Sequence, residues 1–334
     1  MRPRVWVSRP LFSDILDRLR AFFEVEVETE DRPWTPGEVA FKLNDKQGAM
    51  LGVSDPVTTE VIAEAPRLRA VANVGVGYDN LDLAALTAAG IVATNTPDVL
   101  NEAVADFAWA LLLATARRVG AGERYVRAGA WRGPSYNVLL GAEVHGRTLG
   151  ILGMGRIGQA IARRGVGFRM RVLYHNRSRL EAITERECNA EYAGRDDLLR
   201  SADFLVLVLP LTPQTRHSIG AAELALMKPS AILVNVARGG IVDDAALVEA
   251  LSGGRLAGAG LDVFENEPAL HPLLPTLDNV VLTPHIASAS VDTRRAMTSL
   301  AVDNLIAALG CGPNAGRPPN VVNPEALGKG FRRG

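Results

Sequence analysis

Residues 148–152 form an apolar run that opens into Gly153-Met154-Gly155-Arg156-Ile157-Gly158 and continues as Gln159-Ala160-Ile161-Ala162. Strand, glycine turn and helix start follow one another with nothing between. Gly153 permits a tight turn, Gly155 lets the backbone approach a pyrophosphate, and Gly158 allows helix and strand to pack closely. Met154 lies inside the turn. Arg156 and Ile157 open the helix, whose unpaired first amides and partial positive charge suit a phosphate. Alone the G-x-G-x-x-G pattern is weak, but with strand and helix in place it predicts a dinucleotide site.

The turn starts at Gly153 of 334 residues, so a separate core must be built before it. Two domains are expected. Apolar residues are 48 % and charged residues 22 % of the chain, and the net charge is -1. That balance gives no electrostatic reason for a nucleic-acid or membrane partner. Cys188 and Cys311 are too few and too far apart for a disulfide framework, which points to a reducing, cytosolic setting. The first residues enter a strand at once, without an apolar signal stretch. The most apolar helical segment, 103–116, carries Asp106 and is too short for a bilayer.

Short apolar strands alternate with helical patterns, the signature of parallel α/β architecture. Strands are predicted at 4–7, 25–29, 49–53, 70–74 and 91–93, with helices around 10–23, 59–65 and 83–89. This set reads as a small flavodoxin-like layer. A helix over 101–119, with Asn101 as cap, leads from it to an irregular loop at 129–147. Later strands are predicted at 171–175, 203–209, 231–236, 258–261 and 280–282, and a last helix at 291–309 returns before an extended tail. The expectation is a Rossmann-type doubly wound sheet over 100–286. The smaller domain is assembled from 1–99 with 287–334.

The second strand after the turn ends in His175-Asn176-Arg177-Ser178-Arg179. An NAD-selective site puts an acid there for the ribose 2′-hydroxyl. Asn176 stands in its place. Arg177, Ser178 and Arg179 would instead attract a 2′-phosphate, so NADP(H) is preferred, with NAD(H) possible. Three further strand ends carry reactive side chains, Arg238, Glu267 and His285, and ligands of parallel sheets bind beyond such ends. A guanidinium suits a substrate carboxylate. A histidine suits proton donation to a carbonyl oxygen, and a carboxylate orients that ring and favours its charged form. His145, His175, His217 and His271 read as loop or strand-end residues.

Asn73-Val74-Gly75-Val76-Gly77-Tyr78-Asp79-Asn80, Thr94-Asn95-Thr96-Pro97, residues 102–106, the glycine turn, 235–239, 261–268 and Thr283-Pro284-His285-Ile286 together resemble the D-isomer-specific 2-hydroxyacid dehydrogenase family, in order and over nearly the whole chain. Within it, the glyoxylate/hydroxypyruvate reductases, including the 2-ketogluconate reductase branch, are the most similar. The resemblance implies that Arg238, Glu267 and His285 are catalytic. It implies that Val76 and Gly77 amides hold the substrate carboxylate with Arg238, and that Val53 lines the same pocket. Asp262 would receive the nicotinamide carboxamide and Val104 would pack near the ring. Leu209, Pro210 and Val236 would flank the adenosine and ribose, with Ala237, His285 and Ala287 completing the cofactor contacts. It further implies closure of the two domains over a small 2-oxo acid and a homodimer built on the helix at 101–119, whose neighbouring loop around Trp131 to Tyr136 could reach a partner's site. C-terminal-binding-protein corepressors resemble the same fold, which leaves a nucleotide-sensing binding protein open as an alternative. A serine-biosynthesis dehydrogenase is less fitting, because that role often comes with a further C-terminal domain.

Overall fold

The computed structural model describes residues 2–327. It comprises two units, Met1–Leu100 with Ser290–Gly334, and Asn101–Ala289. Met1 and residues 328–334, included in the range expected for the first domain, lie outside the described residues.

In the first unit β1 (Arg4–Val7), β2 (Glu24–Val27), β3 (Gly48–Leu51), β4 (Ala70–Asn73) and β5 (Val92–Thr94) form a parallel sheet in the order β2-β1-β3-β4-β5. That is the flavodoxin-like order. β1 reads as a continuous apolar run because both faces are covered. Val5 and Val7 join Met50, Ala72 and Leu305 on one side, while Trp6 joins Leu43, Leu51 and Leu86 on the other. The helix Val291–Ala308, capped by Ser290, lies on the first of these faces. The chain then runs beside β5. Val322 N donates to Ala93 O, and the buried Asn323 side chain accepts from Ala93 N at 2.8 Å and donates to Ile91 O at 2.9 Å. This covers the sheet edge, which would otherwise be open to pairing. One helix, Pro36–Leu43, was not anticipated, although Thr35 and Glu38 form a reciprocal capping box at its start.

In the second unit β6 (Thr148–Leu152), β7 (Arg171–His175), β8 (Ala190–Tyr192), β9 (Phe204–Leu207), β10 (Ile232–Asn235), β11 (Gly258–Leu261) and β12 (Val280–Leu282) are parallel, in the order β12-β11-β10-β9-β6-β7-β8. Strand order reverses at the β6/β9 pair, the switch point where doubly wound sheets bind nucleotides. The compact unit continues past the expected limit of 286, to Ala289, because the turn after β12 stays hydrogen-bonded to Asp262.

The helix expected over 101–119 also differs. It starts at Asn101 as its first turn, stops at Ala116, and a second helix, Val119–Arg127, follows a left-handed Arg118. Its apolar surface was expected to face a second subunit. Val104, Ala108, Trp109, Leu111 and Leu112 are buried in the chain itself, and Trp109 Nε1 donates to Ile161 O at 3.0 Å. Small residues on β11 let this helix come close: a Cβ at Gly260 would stand 2.9 Å from Thr115 Oγ1.

Candidate active site

The glycine turn divides its three glycines by task. Gly153 has φ +102°, and a Cβ there would lie 2.4 Å from Val208 O, just beyond β9. At Gly158 a Cβ would lie 2.4 Å from Gly153 O. These two close the turn upon itself. Gly155 differs: a Cβ there meets nothing within 4 Å. Gly155 is the N-cap of the helix Arg156–Gly165 and supplies no side-chain cap. Open space therefore lies beside helix-start amides, which is the cradle a pyrophosphate needs. Leu209 lies against Gly153, with Cδ2 3.0 Å from the position of that Cβ, and Pro210 is exposed beside it. Val236 and Ala237 are nearly buried at the end of β10, and Val104 is buried in its helix.

The segment after β7 is more committed than its sequence suggests. Asn176 Oδ1 accepts from Met154 N at 2.6 Å, so Asn176 pins the glycine turn and the Met154 amide is already used. Arg179, expected to reach a 2′-phosphate, grips Glu185 through Nε and Nη2 with two bonds of 2.8 Å. Tyr174 Oη donates to the same carboxylate at 2.7 Å. The hydrogen bonds from Arg179 and Tyr174 hold the Glu185 carboxyl down to about 2. Burial and the Glu185 carboxylate push the Tyr174 phenol up to about 12. A guanidinium takes a nearby buried carboxylate in preference to solvent, and six residues of sequence separation did not announce that pairing. Arg177 and Ser178 are exposed.

The three side chains expected to react sit beyond three neighbouring strand ends. Beyond β10, Asn235 shapes the turn: its Oδ1 accepts from Ala237 N and its Nδ2 donates to Arg238 O. Gly239 then passes so close to the next loop that a Cβ would be 1.7 Å from Phe264 O. This fit brings the Arg238 turn against the loop that carries Glu267. Glu267 receives the Phe264 amide on Oε1 at 3.0 Å and faces His285 Nδ1 with Oε2 at 2.8 Å. Burial opposes ionisation of Glu267, but the hydrogen bond and charge of His285, the Phe264 amide and the charge of Arg238 outweigh it and hold the carboxyl below its usual range. With Nδ1 on the carboxylate, Nε2 is the ring nitrogen left for another partner. Both side chains are one-third exposed, at 33 %.

His285 itself is held in the left-handed region, at φ +55°, a conformation that costs a non-glycine residue about 1–3 kcal/mol. Its restraint comes from Asp262. His285 N donates to Asp262 O at 2.9 Å, Ile286 N and Thr283 Oγ1 donate to Asp262 Oδ1, and Ala287 N donates to Oδ2. Asp262 is fully buried, and that burial raises its carboxyl above the usual range against the pull of these donors. Asp262 and the Ala287 amide, expected to serve the cofactor, are thus engaged with one another in securing the histidine turn.

A second network supports the Glu267 loop and was missed in the sequence. Glu265 Oε1 accepts from Arg216 Nη2 at 2.8 Å and lies 2.7 Å from His217 Nε2, while Glu265 N donates to Asp244 Oδ2 at 3.2 Å. His217 N also donates to Gly240 O at 2.7 Å, which ties this network to the Arg238 turn. His217 had read as a plain loop residue. Its partner lies 48 positions away, so no local pattern marks it. In the first unit, Val53 and the pair Val76-Gly77 occupy the turns after β3 and β4. A Cβ on Gly75 would lie 2.2 Å from Val53 Cγ1, so these two turns are packed together.

Comparison with known proteins adds an independent line. A family model described as "D-isomer specific 2-hydroxyacid dehydrogenase, NAD binding domain" matches residues 109–287. Glyoxylate reductase of Thermococcus onnurineus is 49 % identical, with 98 % of each chain covered. The glyoxylate reductase of Pyrococcus furiosus is 47 % identical, covering 98 % of this chain and 97 % of that one. Among solved structures, the NADPH-dependent glyoxylate/hydroxypyruvate reductase of Sinorhizobium meliloti, in complex with NADP and malonate, superposes with a TM-score of 0.86 at 39 % identity and covers 98 % of each chain.

Proposed function

The chain belongs to the D-isomer-specific 2-hydroxyacid dehydrogenase family of NAD(P)-dependent oxidoreductases, and from that premise we propose that it reduces small 2-oxo acids such as glyoxylate, hydroxypyruvate or 2-ketogluconate to D-2-hydroxy acids, with NADPH preferred. The observation that carries this reading is the His285–Glu267 pair at 2.8 Å beside the Arg238 turn, in the unit that also bears the glycine cradle.

His285 is the proton donor. Glu267 holds Nδ1, so Nε2–H is directed to the carbonyl oxygen as negative charge builds there. Arg238 offers a planar fork to a carboxylate, and in the first unit the amides of Val76 and Gly77 are assigned to carboxylate binding. Asp262 keeps the histidine turn in its strained form. The nicotinamide cofactor, when bound, supplies the hydride. Its pyrophosphate is assigned to the amides at the helix start beside Gly155.

NADPH over NADH rests on two features: Asn176 is neutral where an acid would repel a 2′-phosphate, and Arg177 is exposed. Arg179 enters this account only by shaping the loop. We further assign a homodimer, with the exposed Val119, Val126, Trp131 and Tyr136 as its contact, and a cytosolic setting. Among the described residues no helix is long and apolar enough to cross a membrane.

Steady-state oxidation of NADPH and of NADH against glyoxylate, hydroxypyruvate, 2-ketogluconate and pyruvate tests the reading. Turnover with at least one of these acids, faster with NADPH, is expected. Tight NADPH binding without turnover on any of them would instead favour a nucleotide-sensing binding protein. Size-exclusion chromatography with light scattering tests the dimer, and a monomer at micromolar concentration would refute it.

A further inference from the structure

The turn after β4 has three successive carbonyls, each held by a donor from its own unit. Gly75 O accepts from Thr96 N at 3.0 Å, Val76 O from Asn95 Nδ2 at 2.8 Å, and Gly77 O from Asn73 Nδ2 at 2.7 Å. In a trans peptide the C=O and the following N–H point in opposite directions. Each tether on a carbonyl therefore aims the next amide. Thr96 sets the N–H of Val76, Asn95 sets that of Gly77, and Asn73 sets that of Tyr78. None of these three amides has a protein acceptor among the described residues. A row of outward N–H groups is an anion-binding concavity.

The donors are themselves fixed. Asn73 is fully buried, and its Oδ1 accepts from Asn80 Nδ2 at 3.2 Å. Asn95 is nearly buried, its carbonyl receives Asn304 Nδ2 at 2.9 Å, and its amide donates to Asn320 O at 3.2 Å. Asparagine is the fitting residue at both places, because a carboxylate of the same shape would turn an oxygen toward a carbonyl.

We propose that Asn95, assisted by Asn73, is a positioning residue for the substrate carboxylate: its side-chain amide orients the Gly77 peptide so that the N–H meets the anion. This rests on the reading of the protein as a 2-oxo acid reductase. It adds a residue that neither touches the substrate nor supplies a proton. The tether from Thr96 is backbone and survives every substitution but proline, whereas those from Asn95 and Asn73 are side chains; of these, Asn95 is the one that sets the Gly77 amide.

The experiment compares wild type with Asn95→Ala, Asn95→Ser and Asn95→Asp. It measures kcat and KM for the best 2-oxo acid, inhibition by oxamate, NADPH affinity by fluorescence, and thermal melting. Losing the orientation of one charge-assisted donor should raise KM and the oxamate Ki together, by about 10- to 100-fold. Both kcat and the NADPH Kd should stay within about threefold. Asn95→Asp keeps the volume and loses the donor, so it should be as impaired as Asn95→Ala. Rescue by Asn95→Asp would show that packing matters and would overturn the proposal. So would unchanged KM in a folded Asn95→Ala or Asn95→Ser protein. A wild type inactive on every 2-oxo acid would overturn the functional reading, and this inference with it. An active wild type with unaffected variants would overturn the inference alone.

Discussion

The three glycines of the nucleotide turn should separate stability from binding when each is changed to alanine. At Gly153 the backbone is at φ +102° and the new Cβ would sit 2.4 Å from Val208 O. Left-handed strain and overpacking each cost about 1–3 kcal/mol, so a loss of about 2–6 kcal/mol follows. For a domain of this size that is a fall in melting temperature of about 4–24 °C. At Gly158 only the overpacking against Gly153 O applies, so the fall should be smaller. Gly155 has φ -77° and open space around its Cβ. Gly155→Ala should melt at or slightly above the wild-type temperature, because alanine restricts the unfolded chain at a site it tolerates. Its added methyl, however, occupies the approach of the pyrophosphate, and losing one charge-assisted bond there weakens NADPH binding about 10- to 100-fold. Melting scans with and without NADPH, together with fluorescence titration, read both quantities. Wild-type NADPH affinity in Gly155→Ala would refute the assignment of that space to the cofactor. Unchanged melting in Gly153→Ala would refute the steric argument.

Other outcomes follow from the same geometry. Arg177→Ala should cut the ratio of kcat/KM for NADPH over NADH about tenfold or more, whereas Arg179→Ala should change the ratio less, since Arg179 is bound to Glu185. Equal effects of the two variants would contradict this. Glu267→Gln replaces the carboxylate that holds His285 Nδ1, so kcat for reduction should fall about tenfold or more while NADPH affinity stays close to wild type. An unchanged kcat would exclude that role. The Glu185 carboxyl lies at about 2 in the folded chain against an ordinary 4.5. Its stabilisation is therefore fully present above 4.5 and disappears as pH falls through that interval. The melting-temperature gap between wild type and Glu185→Gln should accordingly shrink on acidification from neutral pH, and a constant gap would count against the pairing.

The parallel strands and the Arg238, Glu267 and His285 positions were legible because each depends on local signals: apolar runs with turns behind them, and reactive residues at strand ends. Strands 171–175, 258–261 and 280–282 match β7, β11 and β12 to the residue. The fate of Arg179 was not legible. A charged residue in an exposed loop can meet a ligand or a neighbour, and only the fold brings Glu185 and Tyr174 to it. The same holds for His217, and for Asn95, whose side chain meets the Val76 carbonyl 19 positions away. The helix Pro36–Leu43 is a different kind of miss, because Thr35, Pro36 and Glu38 spelled out its start.

The central claim is that His285 delivers the proton. Single-turnover and steady-state reduction of glyoxylate by His285→Ala, measured beside its NADPH affinity, tests it most directly. Turnover should fall about a thousandfold, within the range of general acid catalysis, with NADPH affinity close to wild type. A variant that keeps most of its turnover would contradict it.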